Sequence, residues 1–168
     1  MRAEETSATS RVEIRSCRQS DLAAIVELLA QAKEAASWSM ESLQSALEQD
    51  ALYFFVAAKD AEVVGFITGR TAADEGEVLN LAVRQAYRRK GLGKALVQSL
   101  LQAFRGNSVA TVFLEVRESN RPAIAFYDQL GFARAGWRPE YYSNPSVAAL
   151  VLRAKLGRGS PQKSLQSK

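Results

Sequence analysis

The chain has 168 residues, 47% of them hydrophobic and 24% charged, with a net charge of +4. That is enough apolar material for one globular core, too apolar for a disordered chain, and too short for two full domains. It contains no histidine and one cysteine, Cys17. This excludes Ser-His-Asp and Cys-His catalysis, histidine metal sites, an internal disulfide and a cysteine-based structural zinc site.

Acid–base chemistry is therefore left to Asp, Glu, Tyr, Lys, a terminus or water. The basic excess favours anions without choosing among them. Met1 to Ser10 carries no apolar pattern and includes Glu4 and Glu5, so it lacks the core of a signal peptide. No run approaches the length of a membrane span. With no disulfide framework the expectation is a cytoplasmic protein. It is read as one domain over residues 11–156, with mobile tails at 1–10 and 157–168.

In chain order, Val12 to Arg15 alternates like a short strand. Ser20 is placed to cap a helix over Leu22, Ile25, Val26 and Leu29. Ser39 is placed to cap a second helix, with Glu41 in its first turn and Leu43 and Leu47 as an i,i+4 pair. Leu52 to Ala58 and Val63 to Thr71 are β-branched and aromatic runs split by Lys59-Asp60-Ala61, which predicts a hairpin. Glu77 to Val83 is a further strand. Gly91 to Phe104 is a helix with Leu92, Ala95, Leu96, Ser99 and Leu100 on one side. Ala110 to Val116 reads as a buried strand and Ser119 to Leu130 as a helix ended by Gly131. Strands near Ala133 to Tyr142 and Val147 to Lys155 close the chain. The order β-α-α-β-β-β-α-β-α-β-β predicts an α/β fold whose early hairpin makes the sheet mixed.

The most informative stretch is the strand Leu79-Asn80-Leu81-Ala82-Val83 followed by Tyr87-Arg88-Arg89-Lys90-Gly91-Leu92-Gly93-Lys94. A strand, a basic turn, two glycines and a helix N-terminus build a cradle for a diphosphate. The first-turn N–H groups point outward, glycine lets the anion approach, and Arg88, Arg89, Lys90 and Lys94 add charge. The plain alternative is a basic surface turn. The stretch is neither a P-loop nor the dinucleotide fingerprint.

Glu115 is a carboxylate in the otherwise apolar run Phe113 to Val116. By period two it shares a face with Thr111 and Phe113, opposite Val112, Leu114 and Val116. Burial there would make it a better base; the alternative is a strand-end carboxylate paired with Arg117 or another cation. Glu77 is the rival carboxylate on the preceding strand. Tyr127, taken alone, reads as a packing aromatic beside Phe126. Seven residues separate it from Asn120, so the two share a helix face. Cys17 lies outside both stretches.

Arg88-x-x-Gly91-x-Gly93 after a Leu-Ala-Val strand resembles the acyl-CoA signature of the GCN5-related N-acetyltransferase (GNAT) family. The segment from Asn120 to Phe132 resembles that family's Asn-x-x-Ala-x-x-x-Tyr-x-x-x-Gly-Phe. The resemblance covers nearly all of residues 11–156. It implies the GNAT fold: a mixed, mostly antiparallel central sheet splayed at the acetyl-CoA site. It also implies acetyl-CoA as co-substrate, with no metal. Leu81, Ala82 and Val83 would meet the pantetheine arm, and the backbone from Arg88 through Arg89, Lys90, Gly91, Leu92 and Gly93 to Lys94 the diphosphate.

Phe113 to Asn120 with Tyr127 downstream is similar to the RimI-type ribosomal-protein-alanine N-acetyltransferases. That resemblance implies Glu115 as base, Asn120 on acetyl-CoA and Tyr127 as proton donor. Trp38, Tyr141 and Tyr142 would lie along the peptide groove. Ser37 stands where this subgroup has proline, and Ser143-Asn144-Pro145-Ser146-Val147 lacks its acidic residues. The implied reaction is direct attack of a protein N-terminal amine, a ribosomal protein's foremost, on acetyl-CoA in a ternary complex. The alternatives are a small-molecule amine acetyltransferase or a catalytically weak acyl-CoA-binding module. Nucleic-acid binding is not expected, since no aromatic–basic stacking surface stands out, and no membrane partner is expected. The sequence assigns no oligomeric state.

Overall fold

Alternating strands need both faces covered when helices follow them in pairs, and the chain does this with a single sheet. The computed structural model describes residues 11–33, 35, 37–143 and 146–157. The expected tails, apart from Gly157, and Asn144 and Pro145 lie outside the described residues. The elements are β1 (Glu13–Ser16), α1 (Leu22–Gln31), α2 (Met40–Leu47), β2 (Leu52–Lys59), β3 (Glu62–Ala72), β4 (Glu75–Val83), α3 (Leu92–Gly106), β5 (Thr111–Arg117), α4 (Arg121–Gln129), β6 (Ala133–Tyr142) and β7 (Val147–Lys155). The sheet order is β1-β2-β3-β4-β5-β7-β6. Every neighbouring pair is antiparallel except β4 and β5, which run parallel and are joined through α3. The order and the mixed sheet agree with the pattern read from the sequence.

Two clusters fill the two faces. On one, Leu96, Val97, Leu100 and Phe104 of α3 pack with Ile67, Val112, Leu114, Val116, Tyr127 and Phe132. On the other, Leu22, Ile25 and Leu28 of α1 and Leu43 of α2 pack with Phe54, Val56, Val63, Phe66 and Ala82. Each such side chain, taken fully out of water, contributes about 1.5–3 kcal/mol. The buried face of α3 is rotated from the one expected. Val97, Leu101 and Phe104 are buried, whereas Ser99 bonds back to the Ala95 carbonyl at 3.0 Å.

The β2–β3 turn is tight, with Asp60 and Ala61 both at positive φ (49° and 68°), as a two-residue hairpin requires. Ser39 caps α2, its hydroxyl accepting the Ser42 N–H at 3.1 Å. Ser20 does not cap α1. A 3-10 turn at Gln19–Asp21 precedes that helix, and Asp21, at the residue before α1, makes no side-chain cap bond to it but holds the turn. Its carboxylate accepts the Arg18 N–H at 2.7 Å and two guanidinium bonds from Arg15 at 2.7 and 2.9 Å. A single hydroxyl could not accept all three.

Candidate active site

The site begins where the sheet comes apart. β4 and β5 pair from Glu75–Thr111 to Val78–Leu114 and no further. At that point β4 carries a bulge against β3: Thr68 opposes Asn80 and Gly69 opposes Val78, so Leu79 is an extra residue. A bulge bends its strand and increases its twist, which turns the end of β4 away from β5. Meanwhile Glu115, Val116 and Arg117 stay paired with β7. The result is a gap open between the two strand ends.

The hydrogen-bond alternation of an antiparallel ladder decides which groups face that gap. The Arg84 N–H bonds the Val64 carbonyl at 2.8 Å. Two residues further along each strand, Phe66 and Ala82 are then a bonded pair, while Gly65–Val83 and Ile67–Leu81 are non-bonded pairs. The amide edges of Leu81 and Val83 therefore point away from β3, into the gap. Ala82 does not join them: its backbone is committed to Phe66, and its side chain is buried in the α1/α2 cluster. Arg88 closes one position, its Nε donating to the Val83 carbonyl at 2.8 Å.

The gap leads to the start of α3. Gly91 is the residue before the helix, at φ +81°, and a Cβ placed there would meet no atom within 4 Å. Arg89 is also at positive φ, 60°. The first helical bond runs from the Ala95 N–H to the Gly91 carbonyl at 3.0 Å, so the N–H groups of Leu92, Gly93 and Lys94 have no partner within the helix. No acidic residue occupies this first turn, and Arg88, Arg89, Lys90 and Lys94 are exposed around it. Lys90 folds back to the Ala86 carbonyl at 3.0 Å and lies over the Tyr87 ring. Gly93 has a different purpose. Its Cβ would lie 3.3 Å from the Phe126 ring, so this glycine lets α3 approach α4.

Glu115 and Tyr127 lie on opposite faces of the sheet. Val112, Leu114 and Val116 face α3 and α4, so Glu115 faces the other way, as the alternation predicts. Its carboxylate is 3.1 Å from Arg138 Nη1 of β6, and its nearness holds the Tyr141 proton more tightly than in a free phenol. Tyr127 lies on the α4 side, its ring edge-on to Phe126 and Phe132. Burial raises its hydroxyl above the ordinary phenol value. The hydroxyl nevertheless is not one of the sealed, unpartnered polar atoms of the interior. Asn120 caps α4, its Oδ1 accepting the Ala123 N–H at 3.2 Å, which commits its oxygen and not its NH2 group.

Other expected residues fall elsewhere. Glu77 sits where β4 and β5 are still paired, opposite Phe113, and is bound to Arg70 at 2.6 Å. Tyr142 stacks under Arg117, 4.2 Å from the guanidinium, and edge-on to Tyr141. Trp38 packs on the α1/α2 cluster and lines a surface depression with Glu41, Ser42 and Gln49. The Cys17 thiol is pushed up to about 12 by burial and then by Asp21, so at neutral pH it is no nucleophile. The sequence reading missed Arg138. Its only local signal is its place just upstream of Tyr141-Tyr142. What brings it to Glu115 is an extra residue earlier in β6: Arg134 opposes Leu152 and Gly136 opposes Val151, so Ala135 is unpaired, Gly136 and Glu115 flank the same Val151, and Arg138 lies two residues along on that face.

Residues 22–132 match the profile of the Acetyltransferase (GNAT) family. The chain belongs to that family. A GNAT relative, the [ribosomal protein bS18]-alanine N-acetyltransferase of Escherichia coli, is 40% identical over 88 residues, which are 52% of this chain and 60% of the relative. An N-alpha-acetyltransferase of Saccharolobus solfataricus is 33% identical over 120 residues, covering 64% of this chain and 72% of that protein. Among solved structures, the ribosomal-protein-S18-alanine N-acetyltransferase from Escherichia coli superimposes with a TM-score of 0.78 at 29% identity, over 90% of this chain and 98% of that one. By sequence, the matched segment spans about three fifths of the Escherichia coli relative. No helix among the described residues is long and apolar enough to cross a membrane.

Proposed function

We propose that this protein transfers an acetyl group from acetyl-CoA to the N-terminal amine of a protein, with a ribosomal protein as the leading substrate class. The observation that carries the reading is the gap between β4 and β5. It is lined by the amide edge of Leu81 and the N–H of Val83, whose carbonyl Arg88 already occupies, and runs into a helix N-terminus ringed by cations. An extended amide-bearing arm ending in a diphosphate fits that surface. Backbone groups would serve the arm, and the Leu92, Gly93 and Lys94 N–H groups with Arg89 and Lys94 would serve the diphosphate. Acetyl-CoA supplies the activated thioester.

The chain's own residues then divide the work by face. An α-ammonium has a pKa of about 7.7–8.0 and no lone pair until it loses a proton. Glu115 takes that proton, directly or through a water, on the α1/α2 face. The Val83 N–H donates to the acyl oxygen as charge develops there. Tyr127, kept protonated by burial, gives its proton to the departing thiolate on the α4 face. Base and acid on opposite faces of an open sheet suit direct attack in a ternary complex, because amine and thiol need never share one side. The names of the relatives support an N-terminal amine over a small-molecule amine. Tyr141, nearly half exposed beside Glu115, supplies a wall for a peptide.

The test is incubation with labelled acetyl-CoA and peptides beginning Ala, Ser, Met-Leu and Met-Lys, with the product located by mass spectrometry. The expected product is acetylated at the α-amine, with the Ala peptide fastest. Acetylation of polyamines or aminoglycosides with no peptide product would instead make it a small-molecule enzyme.

A further inference from the structure

We propose that Arg138 is a substrate-positioning residue that, with Glu115, recognises the N-terminal residue at two points: Glu115 takes the α-amine and Arg138 takes the carbonyl oxygen of the same residue. The proposal rests on the acetyl-transfer reading above and extends it to how an α-amine is told from other amines.

Three observations carry it. First, the spacing fits. Arg138 Nη1 and the Glu115 carboxylate are 3.1 Å apart. Within one amino-acid residue the amine nitrogen and carbonyl oxygen are separated by about 3 Å, set by the N–Cα–C=O geometry. A peptide N-terminus can therefore lay its donor against the carboxylate and its acceptor against the guanidinium. Second, Arg138 is available. Its side chain is 57% exposed against 17% for Glu115, and a guanidinium has five N–H donors, more than one carboxylate consumes. Third, it is aimed. The Tyr141 ring lies 5.5 Å from the guanidinium carbon, and Tyr141 is close enough to the same Glu115 for the carboxylate to hold its proton. The earlier register shift at Ala135 puts Gly136 and Glu115 on either side of Val151, and Arg138, two residues further along β6, on the Glu115 face. An exposed ion pair alone contributes little to stability, so a role in holding the fold does not explain this arrangement.

A lysine ε-amine or a simple alkylamine offers Glu115 a proton but has no carbonyl at this distance. Arg138 thus separates protein N-termini from other primary amines by a charge-assisted hydrogen bond that only the former can make.

The experiment compares wild-type protein with Arg138→Ala and Arg138→Lys on two acceptors, an alanyl tetrapeptide and n-butylamine, with acetyl-CoA saturating. Acetyl-CoA affinity by calorimetry shows that each variant is folded. Losing one charge-assisted bond should raise the peptide KM of Arg138→Ala by roughly 10- to 100-fold. Its kcat should fall much less, and kcat/KM for butylamine should fall far less than for peptide. Arg138→Lys should recover part of the peptide KM, since an ammonium donates but cannot reproduce the planar fork. The proposal is overturned if peptide and butylamine lose equally, or if kcat falls with the peptide KM unchanged, for then Arg138 only adjusts Glu115. It is also overturned if the peptide KM does not move. A wild-type protein that never acetylates the peptide would overturn the functional reading as well, and so is distinguishable from these outcomes.

Discussion

The two glycines of the cradle look alike in sequence, and the structure gives them opposite sensitivities. At Gly91, φ is +81° and a Cβ would touch no protein atom. Gly91→Ala therefore costs only the left-handed backbone penalty, about 1–2 kcal/mol. In a chain of this size that lowers Tm by roughly 2–8 °C. The open space at that Cβ is, however, the approach to the free N–H groups of α3. A methyl there should lower acetyl-CoA affinity at least tenfold, about 1.4 kcal/mol, beyond anything the stability loss explains.

At Gly93 the Cβ would point at the Phe126 ring, 3.3 Å away, and not into the approach. Gly93→Ala gains up to about 1 kcal/mol of helix propensity and loses some of it to that contact. Stability should change by less than about 1 kcal/mol, and acetyl-CoA affinity by less than about threefold. Gly93→Val would push on Phe126, the neighbour of Tyr127, and should lower turnover more than affinity. The assays are titration calorimetry with acetyl-CoA and thermal melts of the free proteins. If Gly91→Ala melts lower as expected but binds acetyl-CoA as the wild type does, the anion does not sit at the start of α3. The placement of the cofactor then fails.

Three further outcomes follow from the geometry. Glu115→Gln should retain acetyl-CoA affinity and lose roughly 10²–10⁴-fold in turnover, with the residual rate rising with pH as the amine neutralises itself. Glu77→Gln should lose much less, because Glu77 lies where β4 and β5 are still paired; the reverse ranking would reassign the base. Tyr127→Phe keeps the buried ring and should cost under about 1 kcal/mol of stability, yet slow turnover by roughly 10–10³-fold. Because burial raises the Tyr127 hydroxyl pKa, the wild-type rate should show no loss from Tyr127 ionisation up to about pH 10, the ordinary phenol value, and a fall near that pH that vanishes in Tyr127→Phe would contradict its raised value. Asp21→Ala should destabilise the fold by about 2–3 kcal/mol, since charged hydrogen bonds to Arg15 and Arg18 are lost. The Arg15 guanidinium, then its backbone bond to Arg18, hold the Asp21 carboxyl below its ordinary value despite burial. Its contribution is therefore full above about pH 4 and lost as pH falls through the lowered folded value. Chemical melts at pH 7 and pH 3 should show the wild-type advantage shrinking on acidification; an advantage equal at both would refute the assignment.

What could be read from the sequence was whatever a segment settles locally. Element order followed from period, since Leu52 to Thr71 alternates around a two-residue turn and α3 repeats its apolar residues every three or four positions. The cradle was legible because glycine, cations and a helix start lie within one heptapeptide. The face of Glu115 followed from alternation along β5. What was not legible depends on how one strand is registered against another. The extra residue at Leu79 opens the gap, yet Leu79-Asn80-Leu81 reads as unbroken strand. The same holds for Ala82: only the bonding parity with β3 shows that its backbone turns away while its neighbours' amides turn in. Ser20 has no capping role because a 3-10 turn stands where the helix start is expected, and that turn is held by Asp21 through Arg15, which comes from β1.

The divergence of this chain from the RimI-type pattern can be placed physically. Ser37 and Ser143 to Val147 are the departures in sequence, whereas the β4–α3 connection and Glu115 through Tyr127 keep their pattern. On the cofactor side the requirements are rigid. A bulge must end the β4–β5 pairing, amide parity must turn Leu81 and Val83 inward, and a left-handed residue must start α3. Each is a backbone condition that few residues satisfy. On the proposed acceptor side the groups on offer are side chains of the edge strand β6, where Trp137 and Tyr141 are about half exposed and the pairing with β7 shifts between Arg138 and Tyr142. Edge-strand positions carry little of the core, so they can be exchanged without cost to the fold. A change of preferred N-terminal sequence should accordingly be reachable by substitutions in residues 134–143 that leave acetyl-CoA affinity untouched. Substitutions that shift the acceptor preference only by way of the β4–α3 connection would show that the two halves of the site are coupled.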